Sequence, residues 1–170
     1  ILAGKVNPSG SLVDIYCYDN LSSPAMHNFI ALDYANFNGQ VPDQAASYMV
    51  YQEGIYVGHK YYETRYEDYV MGTGNAGEYA YGDDVAFPFG HGLSYTTFDY
   101  SDMAVTYNAE TDQFEVSVKV TNSGKLEGKE TVQIYAQSPY TEYDKTNKVE
   151  KAAVQLIGFG KTAILEPGAS

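Results

Sequence analysis

Residues 113–122, QFEVSVKVTN, alternate apolar and polar side chains with a period of two. Because successive side chains of a β-strand point to opposite faces, Phe114, Val116, Val118 and Val120 share one face of this segment. Glu115, Ser117 and Lys119 lie between them and face the other way. A strand with one apolar face needs a second layer to cover it. The segment therefore predicts a strand in a layered β-structure.

Further strands are predicted by the same pattern or by strand-forming composition. The turn SGKLEGKE leads into one of them, and another is interrupted at Gly158 or Gly160. Four or five strands joined by hairpin turns predict an incomplete antiparallel β-sandwich of the immunoglobulin or fibronectin type III kind, lacking about two strands. The additional segments are residues 103–108, 131–137 and 152–165.

The sequence before residue 98 has a different residue pattern, which predicts a mixed α/β region. Glu63 and Glu67, four residues apart, suit the wet side of a helix over residues 53–69, although the surrounding tyrosines, isoleucine and valines favour a strand. Clusters of glycine, proline, asparagine and serine predict loops elsewhere. These loops are NPSG at 7–10, LSSPAM at 21–26, NFNGQVPDQ at 36–44 and MGTGNAGEYAYGDD at 71–84.

Charge and cysteine content exclude several classes of function. The chain has 22 acidic and 10 basic residues and a net charge of -12, which repels phosphate backbones and anionic lipids. Its single cysteine, Cys17, has no partner for a disulfide or a cysteine zinc site and predicts a small buried apolar side chain. The spacing of His27, His59 and His91 fits no metal motif. No metal and no cofactor are expected.

Residues 87–98, FPFGHGLSYTTF, predict a junction between two parts of the fold. Phe87, Phe89 and Phe98 are expected to anchor one part onto the next, and Pro88 to stiffen the approach. Gly90 and Gly92 would then permit close passage of the backbone. Ser94 lacks the second glycine of a nucleophile elbow, so a serine hydrolase is not predicted.

Five blocks of sequence, in this order and at these spacings, resemble the C-terminal part of glycoside hydrolase family 3, whose best-known members are β-glucosidases. Any one block alone is a weak signal, whereas together they cover nearly all of the chain. The blocks are NPSGSL, EGIYVGHKYYE, FPFGHGLSYTTF, VTNSGKLEGKETVQIY and VEKAAVQLIGFGKTAILEPGAS.

This resemblance implies a domain assignment. Residues 1–98 would be the end of the family's α/β sandwich domain with a linker, and residues 99–170 a fibronectin type III-like domain truncated at its C-terminus. The family's aspartate nucleophile belongs to a (β/α)8 barrel, and its acid/base glutamate usually lies before NPSG. The resemblance therefore assigns no catalytic residue to this chain. Because some members carry the barrel after the fibronectin-like domain, the position of the barrel stays open.

His59 and Lys60 depart from the tyrosine and arginine that the family more often has there. The continuation SLVDIYCYD after NPSG also replaces a common proline-containing sequence and resembles a subgroup of bacterial members.

Two acidic pairs deserve comparison with the needs of a retaining glycosidase, which places two carboxyl groups on either side of the scissile bond. The pairs are Glu63 with Glu67 and Asp83 with Asp84. Their spacing predicts solvated acids on a helix face and in a glycine-rich loop rather than catalytic groups.

Sugar contact is a separate question, because sugar rings stack on tyrosine. The candidates for substrate binding are Tyr56, Tyr61 and His91. Their alternative roles are packing between two domains and a junction contact.

The sequence thus predicts a non-catalytic part of a retaining enzyme that hydrolyses terminal β-D-glucosyl or related β-glycosyl residues. The chain alone is predicted to be inactive, and its partners would be a β-glucoside or oligosaccharide and the missing barrel. A stand-alone carbohydrate-binding module and a structural or adhesion β-sandwich are the alternatives. No signal peptide or membrane segment is recognisable and the chain does not begin with methionine, so an interior piece of a longer polypeptide is expected, in the cytoplasm or secreted.

Overall fold

A computed structural model describes residues 1–34, 47–74 and 76–170 of the chain. The loop predicted at 36–44 lies outside these residues. Within them the fold is rich in short antiparallel strand pairs and has few helices. The strands are β1 Tyr16–Cys17, β2 Leu32–Asp33, β3 Ser47–Tyr48, β4 Val85–Phe87, β5 Phe98–Asn108, β6 Gln113–Asn122, β7 Thr131–Ala136 and β8 Gln155–Lys161. The helices are α1 Pro24–His27, α2 His59–Met71, α3 Tyr81–Asp84 and α4 Glu142–Asn147, with a 3-10 turn at Asn20–Ser22.

The chain divides into two compact units that interleave along the sequence. Unit 1 contains residues 1–12, 90–134 and 156–170, and unit 2 contains residues 13–89 and 135–155. The chain passes from unit 2 to unit 1 between Phe89 and Gly90, inside the segment predicted to be a junction.

Strand β6 in unit 1 confirms the strand predicted from the alternating pattern. Val116 and Val118 are half-buried and Val120 is buried, while Ser117 and Lys119 are exposed. The prediction that hairpin turns join consecutive strands was wrong at the turn SGKLEGKE, however. Strand β6 pairs with β5, and β7 pairs with β8. Residues 123–130 therefore connect two different sheets and do not form a hairpin. Alternation specifies which side chains share a face, but it does not specify which strand lies alongside.

An open hollow of about 940 Å³ in unit 1 is lined by the apolar side chains of these strands. Its lining side chains come from both strand pairs, as expected where two sheets turn their apolar faces to the same space. They include Val116, Val118, Val120, Val132, Ile134 and Phe159. Strand β8 runs through Gly158 and Gly160 without the predicted interruption.

The first twelve residues run beside the segment that follows Phe89. Ser11 and Gly92 form an antiparallel bridge, and the Leu12 amide donates to the His91 carbonyl at 2.8 Å. The Asn7 side chain accepts from the Tyr95 amide at 2.8 Å. A Cβ atom on Gly92 would lie 2.5 Å from the Gly10 carbonyl oxygen. The predicted close passage of the backbone at Gly92 is therefore confirmed.

Unit 2 is built around a small cluster of buried side chains, Tyr62, Tyr79 and Val85. Cys17 packs against this cluster and is half-buried, so its predicted role as an apolar packing residue holds with less burial than expected. His59 packs its ring on Phe89, with 4.4 Å between centroids. Burial lowers the pKa of His59, which keeps the imidazole neutral near pH 7.

Helix α2 begins at His59, six residues later than the predicted start at residue 53. Gly54 and Gly58 have φ values of +56° and +59°, which a right-handed helix cannot contain. The helix ends at Met71 because Gly72 adopts the left-handed conformation, and its amide donates to the carbonyls of Asp68 and Tyr69. Glycine conformation, which the hydrophobic pattern does not report, sets both ends.

Candidate functional site

Helix α2 presents its tyrosines to two environments within unit 2. Tyr62 is buried and its hydroxyl pairs with Ser22 at 2.8 Å, whereas the Tyr61 hydroxyl accepts from Arg65 at 2.7 Å. Arg65 also lies 4.9 Å from the Tyr79 ring centroid, a cation–π contact. Burial raises the pKa of Tyr62 and Tyr79 well above the usual phenol value, so both hydroxyls keep their protons.

A cleft of about 1000 Å³ lies in unit 2 between the C-terminal half of α2 and residues 137–152. We call it the α2 cleft. Its volume is at the upper end of the range for small-molecule sites. The side chains that line it include Tyr56, Tyr140, Asp68, Lys148, Glu150 and Gln137.

Residues 137–152 are attached to α2 near both ends of the segment. The Gln137 side chain donates to Glu67, and the Ala153 amide donates to the Thr64 hydroxyl at 2.9 Å. These two bonds connect residues 137–153 to α2 on both sides of the α2 cleft. The sequence did not predict this cleft, because its two walls are far apart along the chain. Gln137 and Glu67, which connect them, are 70 residues apart.

Asp144 holds the middle of the same segment. Its side chain is 3% exposed and accepts from the amide and hydroxyl of Thr141, each at 2.7 Å, and from Lys151 at 2.7 Å. The Thr141 hydroxyl in turn accepts from the Asp144 amide, which completes a capping box at the start of α4. The hydrogen bond from Lys151, followed by those from Thr141, lowers the pKa of Asp144 from 3.8 to about 2.

Acid is expected to loosen this segment. Because the pKa of Asp144 is lower in the folded chain than in the unfolded one, the unfolded chain takes up the proton first as the pH falls. The stability from this group is complete above about pH 4 and is lost as the pH falls towards the folded pKa of about 2. Melting temperatures measured from pH 5 to 2 should therefore fall less steeply in Asp144→Asn than in the wild type. Parallel curves for the two proteins would contradict this role of Asp144.

Of the two acidic pairs considered from the sequence, Glu63 and Glu67 have hydrogen-bond partners within unit 2. Glu63 accepts from the Tyr81 hydroxyl at 2.6 Å, and Glu67 accepts from Gln137. Both glutamates are half-buried, so the acids predicted to be solvated on this helix face are partly covered. Burial, and then the hydrogen bond and charge of Glu63, raise the pKa of Tyr81, so the phenol remains the donor. Asp83 is exposed and Asp84 half-buried, on the short helix α3.

The three candidates for sugar contact are distributed over both units. Tyr56 lines the α2 cleft, and it shares a second hollow of about 470 Å³ with Tyr61. His91 belongs to unit 1, where its carbonyl accepts from Leu12. The structure thus brings together Tyr56 and Tyr61, and it adds Tyr140, which the sequence did not single out.

In the described part of the chain, no group of three or more His, Cys, Asp or Glu side chains is placed to hold a metal ion. None of the helices within residues 1–34, 47–74 and 76–170 is long and apolar enough to cross a membrane.

Comparison with known proteins connects this arrangement to one family. No family model matches the sequence. The chain is 36% identical over 170 residues to thermostable beta-glucosidase B of Acetivibrio thermocellus, with 99% of this chain and 18% of the relative covered. It is also 36% identical over 183 residues to beta-glucosidase A of Butyrivibrio fibrisolvens, with 100% of this chain and 18% of the relative covered.

Solved structures give the same result. Beta-glucosidase 3B of Thermotoga neapolitana, in complex with alpha-D-glucose, superposes with a TM-score of 0.70 at 32% identity, covering 99% of this chain and 19% of that one. A GH3 beta-glucosidase of Bifidobacterium adolescentis gives 0.69 at 27% identity, covering 99% and 19%. The chain is homologous to one segment of the family 3 β-glucosidases. The family recognised from five sequence blocks is confirmed.

The chain spans less than a fifth of the length of the curated relatives it matches. The relatives come from bacteria and from fungi such as Emericella nidulans. The two units described above therefore match a small part of the length of these relatives.

Proposed function

We propose that this segment is the scaffold and domain-interface part of a retaining family 3 glycoside hydrolase that cleaves terminal non-reducing β-D-glucosyl or related β-glycosyl residues. The observation that carries the proposal is that nearly the whole chain matches less than a fifth of the length of proteins named beta-glucosidases. In this proposal residues 1–98 are the end of an α/β sandwich domain with a linker, and residues 99–170 are a truncated fibronectin type III-like domain.

The surface of unit 2 supports a scaffold role. Three apolar side chains form its buried cluster, while many large apolar side chains remain exposed, among them Val13 at 88%, Tyr51 at 78% and Phe29 at 68%. Soluble proteins seldom leave so much apolar surface in water unless another surface covers it. The barrel that the family resemblance implies is the proposed partner, and the glycosidic bond that is cleaved would lie outside this segment.

Two charge-neutralising substitutions test whether this segment is non-catalytic. A retaining site needs both of its carboxylates, so Glu63→Gln tests the pair with Glu67, and Asp83→Asn tests the pair with Asp84. In the full-length protein both variants are expected to keep kcat/KM for an aryl β-glucoside within about threefold of wild type, whereas loss of a general acid or base costs about 10²- to 10⁴-fold. Glu110→Gln, in an exposed hairpin turn, is the matched control.

A fall of a hundredfold or more with an unchanged melting temperature, in either variant, would show that this segment carries catalysis. A stand-alone binding or structural module is tested by the same assay, because it predicts that no hydrolase activity accompanies the full-length protein.

A further inference from the structure

Hydrogen bonds and an ion pair hold the walls of the α2 cleft, and the proposed scaffold role does not explain them. The outer wall of the cleft is held to α2 by bonds from Gln137 and Ala153, and the centre of that wall by the ion pair between buried Asp144 and half-buried Lys151. A wall fixed in this way loses little conformational freedom when a ligand enters. The cleft is therefore arranged as a preformed binding site.

The charges along the cleft disfavour an anionic ligand. Three carboxylates and three ammonium groups line it, and the carboxylates of Glu142 and Asp144 lie beside it, which leaves acidic groups in excess. Two of the ammonium groups are already paired, Lys145 with Glu142 at 2.7 Å and Lys151 with Asp144 at 2.7 Å. Asp68 accepts from the Thr73 hydroxyl at 3.0 Å. Within residues 1–34, 47–74 and 76–170, the side chains of Lys148 and Glu150 make no hydrogen bond or ion pair, so both can exchange hydrogen bonds with a polar ligand. The lining acids are Glu67, Asp68 and Glu150, and the lining lysines are Lys145, Lys148 and Lys151.

Two tyrosines supply the apolar contact that a sugar ring needs. Tyr140 is 49% exposed, so much of its ring is available, and Tyr56 is half-buried. Burial and then the carboxylate of Glu150 raise the pKa of Tyr56, so its hydroxyl is a hydrogen-bond donor at any physiological pH. Aromatic faces combined with a few placed polar groups are the usual composition of a small-molecule site.

We propose that the α2 cleft binds a neutral pyranose unit of an oligosaccharide, with Tyr140 and Tyr56 against its C–H faces and Glu150 and Lys148 on its hydroxyl groups. The choice of a sugar rests on the proposed function, whereas the cleft itself, with its two tyrosines and its hydrogen-bonding side chains, rests on the geometry alone. The bound unit belongs either to the substrate or to a separate glycan, and the two sources share this chemistry.

The test uses the full-length protein and a thio-linked cellotetraose, which glycosidases do not cleave. Isothermal titration should show two binding events in wild type and in Tyr143→Ala, a control tyrosine that is 70% exposed on α4 and does not line the cleft. In Tyr140→Ala one event should weaken about tenfold or more, the usual effect of removing an aromatic anchor. Glu150→Gln should weaken the same event without removing a ring.

The kinetics of the same proteins separate the possible outcomes. If Tyr140→Ala raises KM for cellotetraose but not for an aryl β-glucoside, the bound unit belongs to the substrate. If one binding event is lost while both KM values stay the same, the bound unit belongs to a separate glycan. A single binding event that is unchanged in all variants, with full turnover, overturns the saccharide site and leaves the proposed function intact. If the wild-type protein turns over no glycoside, the proposed function is overturned. Loss of binding in Tyr140→Ala would still support the saccharide site in the α2 cleft.

Discussion

The Asn122→Ala variant is expected to lose about 3–5 kcal/mol of stability, because it leaves several buried polar groups without partners. Asn122 is 0% exposed. Its side-chain amide donates to the carbonyls of Leu126 and Leu165, each at 2.8 Å. Its side-chain oxygen accepts from the Thr96 hydroxyl at 2.7 Å and from the Gly124 amide at 3.0 Å.

These four bonds join the end of β6 to three other segments of unit 1, so one substitution weakens several connections at once. Unfolding of the full-length protein in urea, followed by hydrogen exchange in β6, measures the loss. Asn108→Ala is the matched control, since Asn108 also bonds through its side chain but lies at an exposed hairpin turn, where the expected cost is about 1 kcal/mol or less. Equal losses in the two variants would contradict the role of Asn122.

The Gly92→Ala variant is expected to cost about 3 kcal/mol, because the added methyl group meets main chain and not a movable side chain. Its Cβ atom would lie 2.5 Å from the Gly10 carbonyl oxygen. Relief requires the strand-like contact between residues 1–12 and the segment after Phe89 to separate.

Gly160→Ala provides the control for Gly92→Ala. A Cβ atom on Gly160 has nothing within 4 Å, and its substitution should change stability by no more than about 0.5 kcal/mol. Melting temperatures of the two variants in the full-length protein make the comparison. A Gly92→Ala protein as stable as Gly160→Ala would show that residues 1–12 do not pass this close in solution.

Strand positions were largely readable from the sequence because side-chain alternation is local. Strand β6 occupies residues 113–122 as predicted, and β7 begins at the predicted Thr131. Strand pairing was not readable, since the alternation of β6 is equally compatible with β5 or β7 as its neighbour. The start of α2 was missed for a different local reason, the positive φ of Gly54 and Gly58.

The candidate site was only partly predictable. Tyr56 and Tyr61 stand in a tyrosine-rich helix region that attracts notice, whereas Tyr140 lies in a segment with no periodic pattern. The α2 cleft depends on the contact between Glu67 and Gln137, which no short-range signal reports. Asn122 precedes Ser-Gly and has the composition of an ordinary turn, so its buried hydrogen bonds became visible only in the folded chain.

We propose that these 170 residues support catalysis without performing it. The most direct measurement is hydrolysis of aryl β-glycosides, the glucoside and xyloside first, by the purified chain beside the longest natural protein that contains it. We predict turnover by the long protein alone, with its preferred glycoside defining the substrate class. Turnover by the 170-residue chain would contradict the claim and would make Glu63, Glu67, Asp83 and Asp84 the catalytic candidates.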